Sequence, residues 1–338
     1  MKSKLFSSTI LASVVAAGFA LTACGDNSNP GNAQDTPSSS SVAAGLNASS
    51  SSEAGVGNSS ASAPTSSGSD CVASPVAFPQ DKFVDIGEVY KNIQCNEKVV
   101  FIVRHGKRES QTGNLSSLTI EGYEDAVTAG QKLVGGEPFK YIFSGMVRTY
   151  QTAASIATGR GDVACTADYA EAEDGLDHLA LTCTPPFAAD TLPQLKDGWY
   201  TKDKAIRDAY IAADTTDYLR NSNVMITDWV YLGNYADAFY DLDERSKEFV
   251  ALLVKNYNDM PKYTLAASHD QVLMPLTAWA TDKKIDLKLH DVTSRKWLNY
   301  LAGVAIIIND KNEQRYVAIK GMNDKVLADG TVLDGGVQ

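Results

Sequence analysis

The order of apolar and polar positions along the chain predicts strands that alternate with helices. Lys98 to Val103 is predicted to be a strand, because after the lysine its residues form a continuous, largely β-branched apolar run, which is typical of a strand buried on both faces. From Thr119, a predicted N-cap, apolar residues recur at helical spacing until Gly135 and Gly136 end the pattern. The same criteria predict later elements: a strand at 141–143, a helix with Arg148 in its first turn, a helix at 241–257, a strand at 263–267, a helix through Leu273 and Trp279, and a closing hairpin of 303–308 with 315–319.

This alternation predicts an α/β domain over residues 71–338, with a mainly parallel central sheet flanked by helices. Residues 160–232 lose the regular periodicity and contain Pro185 and Pro186. We interpret them as an inserted cap region, about 160–232, that covers a site and would determine substrate specificity.

The N-terminus has the layout of a signal peptide over residues 1–23. Two lysines precede an apolar run of about a dozen residues, shorter than the roughly 20 that span a bilayer. The sequence Leu21-Thr22-Ala23-Cys24 resembles the lipobox of bacterial lipoproteins, which implies lipidation of Cys24 and a membrane anchor. An ordinary cleavage site beside a cysteine is the alternative. In lipoproteins of Gram-negative bacteria, an aspartate directly after the cysteine retains the protein in the inner membrane. Gly25 stands at that position here, so the outer membrane is the expected location.

Residues 24–70 are expected to form a disordered tether. Fifteen of the 46 residues from 25 to 70 are serine, and none is aromatic or basic. Such a stretch cannot bury enough apolar surface to offset its chain entropy. The domain that follows would therefore be held away from the membrane surface.

Four cysteines remain after Cys24, and an even number in an exported chain predicts disulfides. Three pairings are possible, of which we favour Cys71 with Cys95 and Cys165 with Cys183 because they close the shortest loops. No pair has the Cys-x-x-Cys spacing that zinc ligands favour.

The formal net charge of −11 makes nucleic acids and anionic lipid surfaces poor partners. If the protein handles an anion, its positive charge has to be concentrated in a small pocket. Three predicted strand ends supply such charge: Arg104, His105 and Arg108 follow the first, Arg148 the second, and His269 with Asp270 the third. Because the carboxyl ends of strands form the ligand crevice of open α/β sheets, these side chains are expected to meet.

Phosphoryl transfer uses this combination of groups. Arginines grip the equatorial oxygens of the transferring group, a neutral imidazole can act as nucleophile, and an adjacent carboxylic acid can protonate the leaving oxygen. The histidines have no paired spacing that would suggest a catalytic metal, and no cofactor is predicted.

These residues resemble the histidine phosphatase superfamily. The resemblance rests on Arg104-His105-Gly106, on Ser144-x-x-x-Arg148 followed by Gln151-Thr152-Ala153, and on His269-Asp270, and it spans roughly residues 98–320. The stretch from His269 to Leu276 and the position of Arg108 resemble the acid-phosphatase branch. The chain departs from that branch at Ser110, where proline is usual.

The resemblance implies that His105 is phosphorylated and that Arg104, Arg108, Arg148 and His269 bind the phosphate. Asp270 would be the proton donor, a role that requires its pKa to be raised near neutral pH. The mutase-like branch takes its acid from a glutamate in the inserted region, so Glu171 or Glu173 is the alternative donor. Asp270 is favoured because aspartate rather than glycine follows His269.

The expected function is that of an exported, membrane-tethered phosphomonoesterase that acts on small organic phosphates. Three alternatives remain open at the level of the sequence. One is a catalytically silent surface lipoprotein that binds a phosphorylated ligand or a surface partner in the same pocket. The others are a phosphomutase-like enzyme and an adhesin-like surface protein that uses the same fold. The sequence predicts neither the natural substrate nor any protein partner.

Overall fold

The computed structural model describes residues 71, 73–110, 115–171, 177–216, 218–219, 222–287 and 296–338. Its helices are α1 Ile86–Lys91, α2 Ile120–Gln131, α3 Val147–Arg160, α4 Lys204–Ala213, α5 Ser222–Leu232, α6 Leu242–Leu253 and α7 Asp270–Ala280. Its strands are β1 Val84–Asp85, β2 Glu97–Arg104, β3 Phe139–Phe143, β4 Ala164–Glu171, β5 Asp177–Thr184, β6 Asp190–Thr191, β7 Tyr263–Ser268, β8 Gly303–Asn309, β9 Gln314–Lys320, β10 Lys325–Val326 and β11 Val332–Leu333. Two 3₁₀ turns lie at Pro193–Leu195 and Tyr257–Asp259.

A seven-stranded central sheet has the order β1-β9-β8-β2-β7-β3-β6. The pairs on the β6 side of β2 are all parallel, whereas β8 runs antiparallel to both of its neighbours. The predicted fold class, an α/β domain with a mainly parallel central sheet and flanking helices, is confirmed. The closing hairpin of β8 and β9 supplies the antiparallel part of the sheet.

Both faces of the sheet are covered, which explains the continuous apolar run in β2. Val99, Phe101 and Val103 belong to a core shared with α2 and α3, whereas Val100 and Ile102 belong to a second core shared with α6 and α7. Successive side chains of a strand point to opposite faces, so a strand between two cores is apolar at every position.

Several helix boundaries follow from local capping. Thr119 accepts a hydrogen bond from the N–H of Gly122 at the start of α2, as the predicted N-cap requires. Asp241 caps α6 in the same way. The helix expected at 241–257 is shorter than predicted, because Val254 adopts an extended backbone conformation and ends α6 at Leu253.

The segment expected to form a cap contains the β4–β5 hairpin, β6, α4 and α5. The two-residue strand β6 pairs in parallel with β3, so part of this segment extends the central sheet rather than standing apart from it. Cys165 lies opposite Cys183 in the hairpin and forms a disulfide with it, and a second disulfide joins Cys71 to Cys95. The local pairing predicted for the four cysteines is confirmed.

Residues 1–70, with the expected signal peptide, tether and Cys24, lie outside the described residues. Within the described part of the chain, no helix combines the length and the apolar character needed to cross a membrane.

Candidate active site

The three strands that carry the predicted site residues are neighbours in the sheet. β7 lies between β2 and β3 and is parallel to both. Arg104 at the end of β2 is opposite Ser268, and Phe143 at the end of β3 is opposite Ala267. The loops after these strands therefore begin at one edge of the sheet, as the sequence predicted.

His105 is buried, and its hydrogen bonds define the state of its ring. Nδ1 lies 2.8 Å from the carbonyl oxygen of Gly106. Because a carbonyl can only accept, Nδ1 carries the hydrogen in the neutral ring, and Nε2 keeps its lone pair. Burial lowers the pKa of His105 well below its ordinary value, and the nearby His269, Arg104 and Arg148 lower it further. The ring is thus neutral at physiological pH, with the lone pair of Nε2 available.

His269 faces His105 edge to face, with ring centroids 5.3 Å apart. Its Nε2 lies 2.8 Å from Ser144 Oγ, which lies 2.9 Å from Thr149 Oγ1. The Thr149 hydroxyl donates to the carbonyl of Met146, so the Ser144 hydroxyl donates to Thr149 and accepts from His269 Nε2–H. Nδ1 is left as an acceptor, 3.3 Å from Arg148 Nη2.

Burial is also the main cause that lowers the pKa of His269, to about 3, with Arg148 as the next contributor. Two neutral imidazoles therefore face each other among cationic groups. Arg148, in the first turn of α3, is only 7% exposed, so it points into the protein and not into solvent. Its pKa is lowered by burial and by the like charge of Arg108, which places Arg108 in the same cationic group.

Arg104, at the end of β2, forms an ion pair with Asp270. Its Nη2 lies 2.9 Å from Asp270 Oδ2, and its guanidinium carbon lies 4.3 Å from the ring centre of Tyr300. Nη1 donates to the carbonyl of Leu298. Arg108 donates from Nη1 to the carbonyl of Glu109, 2.9 Å away.

The loop after β2 is fixed on two sides. The N–H of Gly106 donates to Thr152 Oγ1 on α3, 2.9 Å away, and that hydroxyl donates to the carbonyl of Arg148. On the other side, Gly122 of α2 packs so closely that a Cβ there would lie 2.1 Å from the carbonyl oxygen of Lys107. The loop that carries His105 therefore has little freedom to move.

Asp270 begins α7 and is ionised by its surroundings. Trp297 Nε1–H donates to its Oδ2 and the N–H of Gln271 donates to its Oδ1, each at 2.9 Å. Burial acts to raise the pKa of Asp270, but Arg104, the Trp297 hydrogen bond and His269 outweigh it and hold the pKa below its ordinary value. The upward shift that a proton donor needs is therefore not present in the free protein.

Sequence reasoning missed two charged residues beside the site, Lys196 and Asp197. The hydroxyl of Ser268 donates to the carbonyl of Leu195 at 2.8 Å, which fixes this segment against the end of β7. Asp197 interacts electrostatically with Asp270 and with Arg104, Arg108 and Arg148. No motif surrounds it in the sequence, so only its approach to the predicted strand ends reveals it.

The structure thus brings together Arg104, His105, Arg108, Arg148, His269 and Asp270. Glu173 and the side chain of Glu171 lie outside the described residues, so their role as alternative acids stays a prediction. Among the residues that are described, no group of three or more His, Cys, Asp or Glu side chains is arranged to hold a metal ion.

The fold and the site define an α/β protein with a cationic crevice that holds two neutral imidazoles at the carboxyl ends of parallel strands. Residues 100–176 match the family model of the histidine phosphatase superfamily (branch 1), which supports that superfamily for this chain. The matched range includes Arg104, His105, Arg108 and Arg148 but not His269 or Asp270. Members of the superfamily include phosphatases and phosphomutases.

Solved structures with a similar arrangement are distant in sequence. Bacillus stearothermophilus YhfR is 18% identical with a TM-score of 0.40, and the match covers 67% of this chain and 98% of that one. Phosphoglycerate mutase from Bacillus anthracis is 15% identical with a TM-score of 0.39, and the match covers 66% of this chain and 92% of that one. The protein histidine phosphatase SixA complexed with tungstate is 15% identical with a TM-score of 0.32, and the match covers 66% of this chain and 97% of that one. At these scores the likenesses carry no argument about activity. No curated protein matches the chain significantly.

Proposed function

We propose that this protein is an exported phosphomonoesterase of the acid-phosphatase type, which hydrolyses small organic phosphates through a phosphohistidine on His105. The observation that carries the proposal is the state of His105: its ring is buried and neutral, and Nδ1–H is bound to the Gly106 carbonyl, which leaves Nε2 as the nucleophile. The second imidazole and the three arginines lie around it.

In the first step, Nε2 of His105 forms a bond to phosphorus while the bond between phosphorus and the alcohol oxygen breaks. The imidazolium that results keeps its Nδ1–H on the Gly106 carbonyl, which stabilises the developing positive charge. The arginines neutralise the phosphoryl oxygens, and the departing oxygen takes a proton from a carboxyl group.

In the second step, water attacks phosphorus, the nitrogen–phosphorus bond breaks, and a carboxylate takes the proton of the water. Inorganic phosphate then leaves. Asp270 is the carboxyl that the His269-Asp270 motif assigns to proton transfer. Its ionised form in the free protein suits this second step, whereas the first step needs a carboxyl group that already carries a proton.

In this mechanism, the phosphate group is bound by Arg104, Arg108, Arg148 and His269. His269 is neutral and its Nδ1 is an acceptor toward Arg148 in the free protein. A phosphoryl dianion placed between the two rings offers oxygens that Arg148 can bind instead of His269 Nδ1. The same anion favours protonation of His269 Nδ1. Substrate binding would therefore convert His269 into a second donor to the phosphate.

The proposed location is the cell envelope, with a lipid on Cys24 as the membrane anchor. The signal-peptide layout and the lipobox-like sequence support it, and the two disulfides support folding in an oxidising compartment. Outside the cytoplasm, hydrolysis is favoured over a mutase reaction because phosphorylated glycolytic intermediates are cytoplasmic.

The test is the His105→Ala variant, assayed with p-nitrophenyl phosphate and a panel of alkyl phosphates. We expect kcat to fall roughly 10⁴-fold or more, since the nucleophile is removed. Vanadate binding and the thermal unfolding midpoint report whether the variant keeps its fold. Full activity in a folded variant would refute the proposal. Tight vanadate binding by the wild-type protein without turnover of any substrate would favour the catalytically silent binding protein.

A further inference from the structure

Residues 297–302, which lead into β8, contact both Arg104 and Asp270. The carbonyl of Leu298 accepts from Arg104 Nη1. The indole Nε1–H of Trp297 donates to Asp270 Oδ2 across 2.9 Å. One short segment therefore holds both members of the ion pair between Arg104 and Asp270.

Trp297 is buried, and its backbone is held by a second stretch of chain. Its N–H lies 3.0 Å from the carbonyl oxygen of Gln338, and its carbonyl accepts from the N–H of Gln338 at 2.9 Å. The N–H of Asn299 donates to the carbonyl of Gly336 at 3.0 Å. The two stretches thus pair as in a short antiparallel ladder, so the indole has little freedom to leave Asp270.

The hydrogen bonds of Asp270 are divided unequally between its two carboxylate oxygens. Oδ2 accepts from Arg104 Nη2 and from the indole of Trp297, whereas Oδ1 accepts from the N–H of Gln271, each at 2.9 Å. A carboxylate has about four acceptor positions, two on each oxygen. Within the described part of the chain these three donors are the only ones bound to it, so the remaining position is on Oδ1.

We infer that Trp297 is a positioning residue of the proposed reaction: together with Arg104 it occupies Oδ2, so that Asp270 takes the proton of the attacking water at Oδ1. This inference rests on the proposed function and adds to it the residue that orients the carboxylate and the oxygen that reacts. An indole N–H is only a donor, so Trp297 acts through Asp270. The side chain of Asp270 is 18% exposed, which leaves part of it accessible to water.

The second step balances with this assignment. The water oxygen forms a bond to phosphorus, the bond between phosphorus and His105 Nε2 breaks, and its electron pair returns to the imidazole. One proton of the water moves to Oδ1 of Asp270 and later leaves to solvent. Because the proton arrives on Oδ1, both donors on Oδ2 stay in place, and the carboxyl group need not turn during the step.

The protonation of Asp270 also depends on groups other than Trp297. Burial acts to raise its pKa, whereas Arg104 and the indole hydrogen bond lower it. Charged or titratable side chains of the surrounding elements that act on Asp270 are Arg104, Arg148, Asp197 and His269. Trp297→Phe leaves all of them in place and removes only the N–H donor. A change in the titration of Asp270 in this variant therefore measures the contribution of the hydrogen bond.

The test is Trp297→Phe with p-nitrophenyl phosphate. The leaving group of this substrate needs little protonation, so hydrolysis of the phosphohistidine is expected to limit kcat. We expect kcat at pH 5 to fall about 10-fold and the acidic limb of the kcat profile to move about one pH unit higher, because the carboxylate loses a donor. The ratio kcat/KM includes only the steps up to phosphohistidine formation and should change less than about 2-fold.

Trp279→Phe is the matched control. The indole of Trp279, on the same helix as Asp270, donates to Asp243 Oδ1 at the same distance of 2.9 Å, but this pair is exposed. The control should keep the wild-type kcat and pH profile. In the Asp270→Asn background, adding Trp297→Phe should lower kcat by less than about 2-fold, because the two residues act as a unit.

Gln338→Pro tests the same coupling without changing the buried indole. It removes the exposed residue's N–H, which donates to the Trp297 carbonyl. We expect a loss of kcat about 2- to 3-fold at unchanged kcat/KM, and this variant decides the question if Trp297→Phe does not fold. In either variant, a wild-type acidic limb and kcat, or a fall of kcat/KM in proportion to kcat, would overturn the inference. Turnover by His105→Ala would instead refute the proposed function itself.

Discussion

The Nε2–H group of His269 donates to the hydroxyl of Ser144 across 2.8 Å, and that hydroxyl donates in turn to Thr149. Ser144 and Thr149 are both fully buried. Ser144 lies just before α3, and Thr149 lies in its first turn. This chain of hydrogen bonds fixes the tautomer of His269, so that Nδ1 is the nitrogen directed to Arg148. The orientation of the His269 imidazole therefore depends on a serine that follows a different strand.

Ser144→Ala should weaken both the fold and the reaction. The variant leaves the Nε2–H of His269 buried without its acceptor, which costs about 1–3 kcal/mol. We expect the free energy of unfolding to fall by that amount in urea titrations, and kcat/KM to fall about 10-fold. Ser155→Ala is the matched control, because the Ser155 hydroxyl only donates to the Gln151 carbonyl of its own helix. Equal effects of the two variants would show that Ser144 does not position His269.

Arg148→Lys should weaken substrate binding, measured as a higher KM, more strongly than it lowers the free energy of unfolding. A lysine keeps the charge but loses the planar, two-pronged donor geometry that suits phosphoryl oxygens. We expect KM and the vanadate dissociation constant to rise about 10- to 100-fold, in line with the loss of a charge-assisted hydrogen bond. Arg207→Lys on α4, where the arginine pairs with Asp208, is the control. Unchanged vanadate affinity in Arg148→Lys would remove Arg148 from the phosphate site.

Gly122→Ala should displace the loop that carries His105. The added Cβ would lie 2.1 Å from the carbonyl oxygen of Lys107, and backbone atoms cannot yield as a flexible side chain can. We expect a loss of about 3 kcal/mol in the free energy of unfolding and a decrease in kcat. Gly136→Ala meets no atom within 4 Å and serves as the control. Wild-type kcat in Gly122→Ala would mean that the loop tolerates the shift.

The stability of the protein should fall as pH falls below about 6.5. His105 and His269 stay neutral in the fold but are protonated near pH 6.5 in the unfolded chain. The unfolded state then binds more protons, so the free energy of unfolding decreases from about pH 6.5 toward the folded pKa of His269, about 3.

The raised pKa of Asp197 acts in the opposite direction, since it destabilises the fold as pH rises from about 4 to about 7. Urea titrations of wild type and His269→Gln over this range isolate the histidine contribution. We expect a shallower dependence in the variant. An identical slope in the two proteins would contradict the buried neutral state of His269.

The sequence was sufficient to predict the site residues that directly follow regular strands or begin regular helices. Arg104 and His105 end a strand whose apolar run is unbroken because it lies between two cores, and Arg148 begins a helix directly after a strand. Short-range patterns of this kind predict both the element and its end. That β7 lies between β2 and β3, which brings the three ends together, follows from strand pairing. From the sequence, the general behaviour of α/β sheets predicts only that the ends meet, not the order of the strands.

Asp197 and β6 could not be predicted in the same way. β6 is a two-residue strand that exists because it pairs with β3, and Asp197 reaches the site because Ser268 binds the carbonyl of Leu195. Both depend on contacts between distant parts of the chain. The lowered pKa of Asp270 has the same origin, since Arg104 and Trp297 lie far from it in the sequence.

In the proposed reaction, His105 forms a bond to phosphorus during turnover. The most direct measurement is rapid quenching of the wild-type protein with ³²P-labelled substrate, under alkaline conditions that preserve phosphohistidine, followed by mass spectrometry of the peptides. We expect one acid-labile phosphoryl group on His105 that forms and decays fast enough to sustain kcat, and none in His105→Ala. Turnover without any phosphorylated His105, or label on another residue, would contradict it.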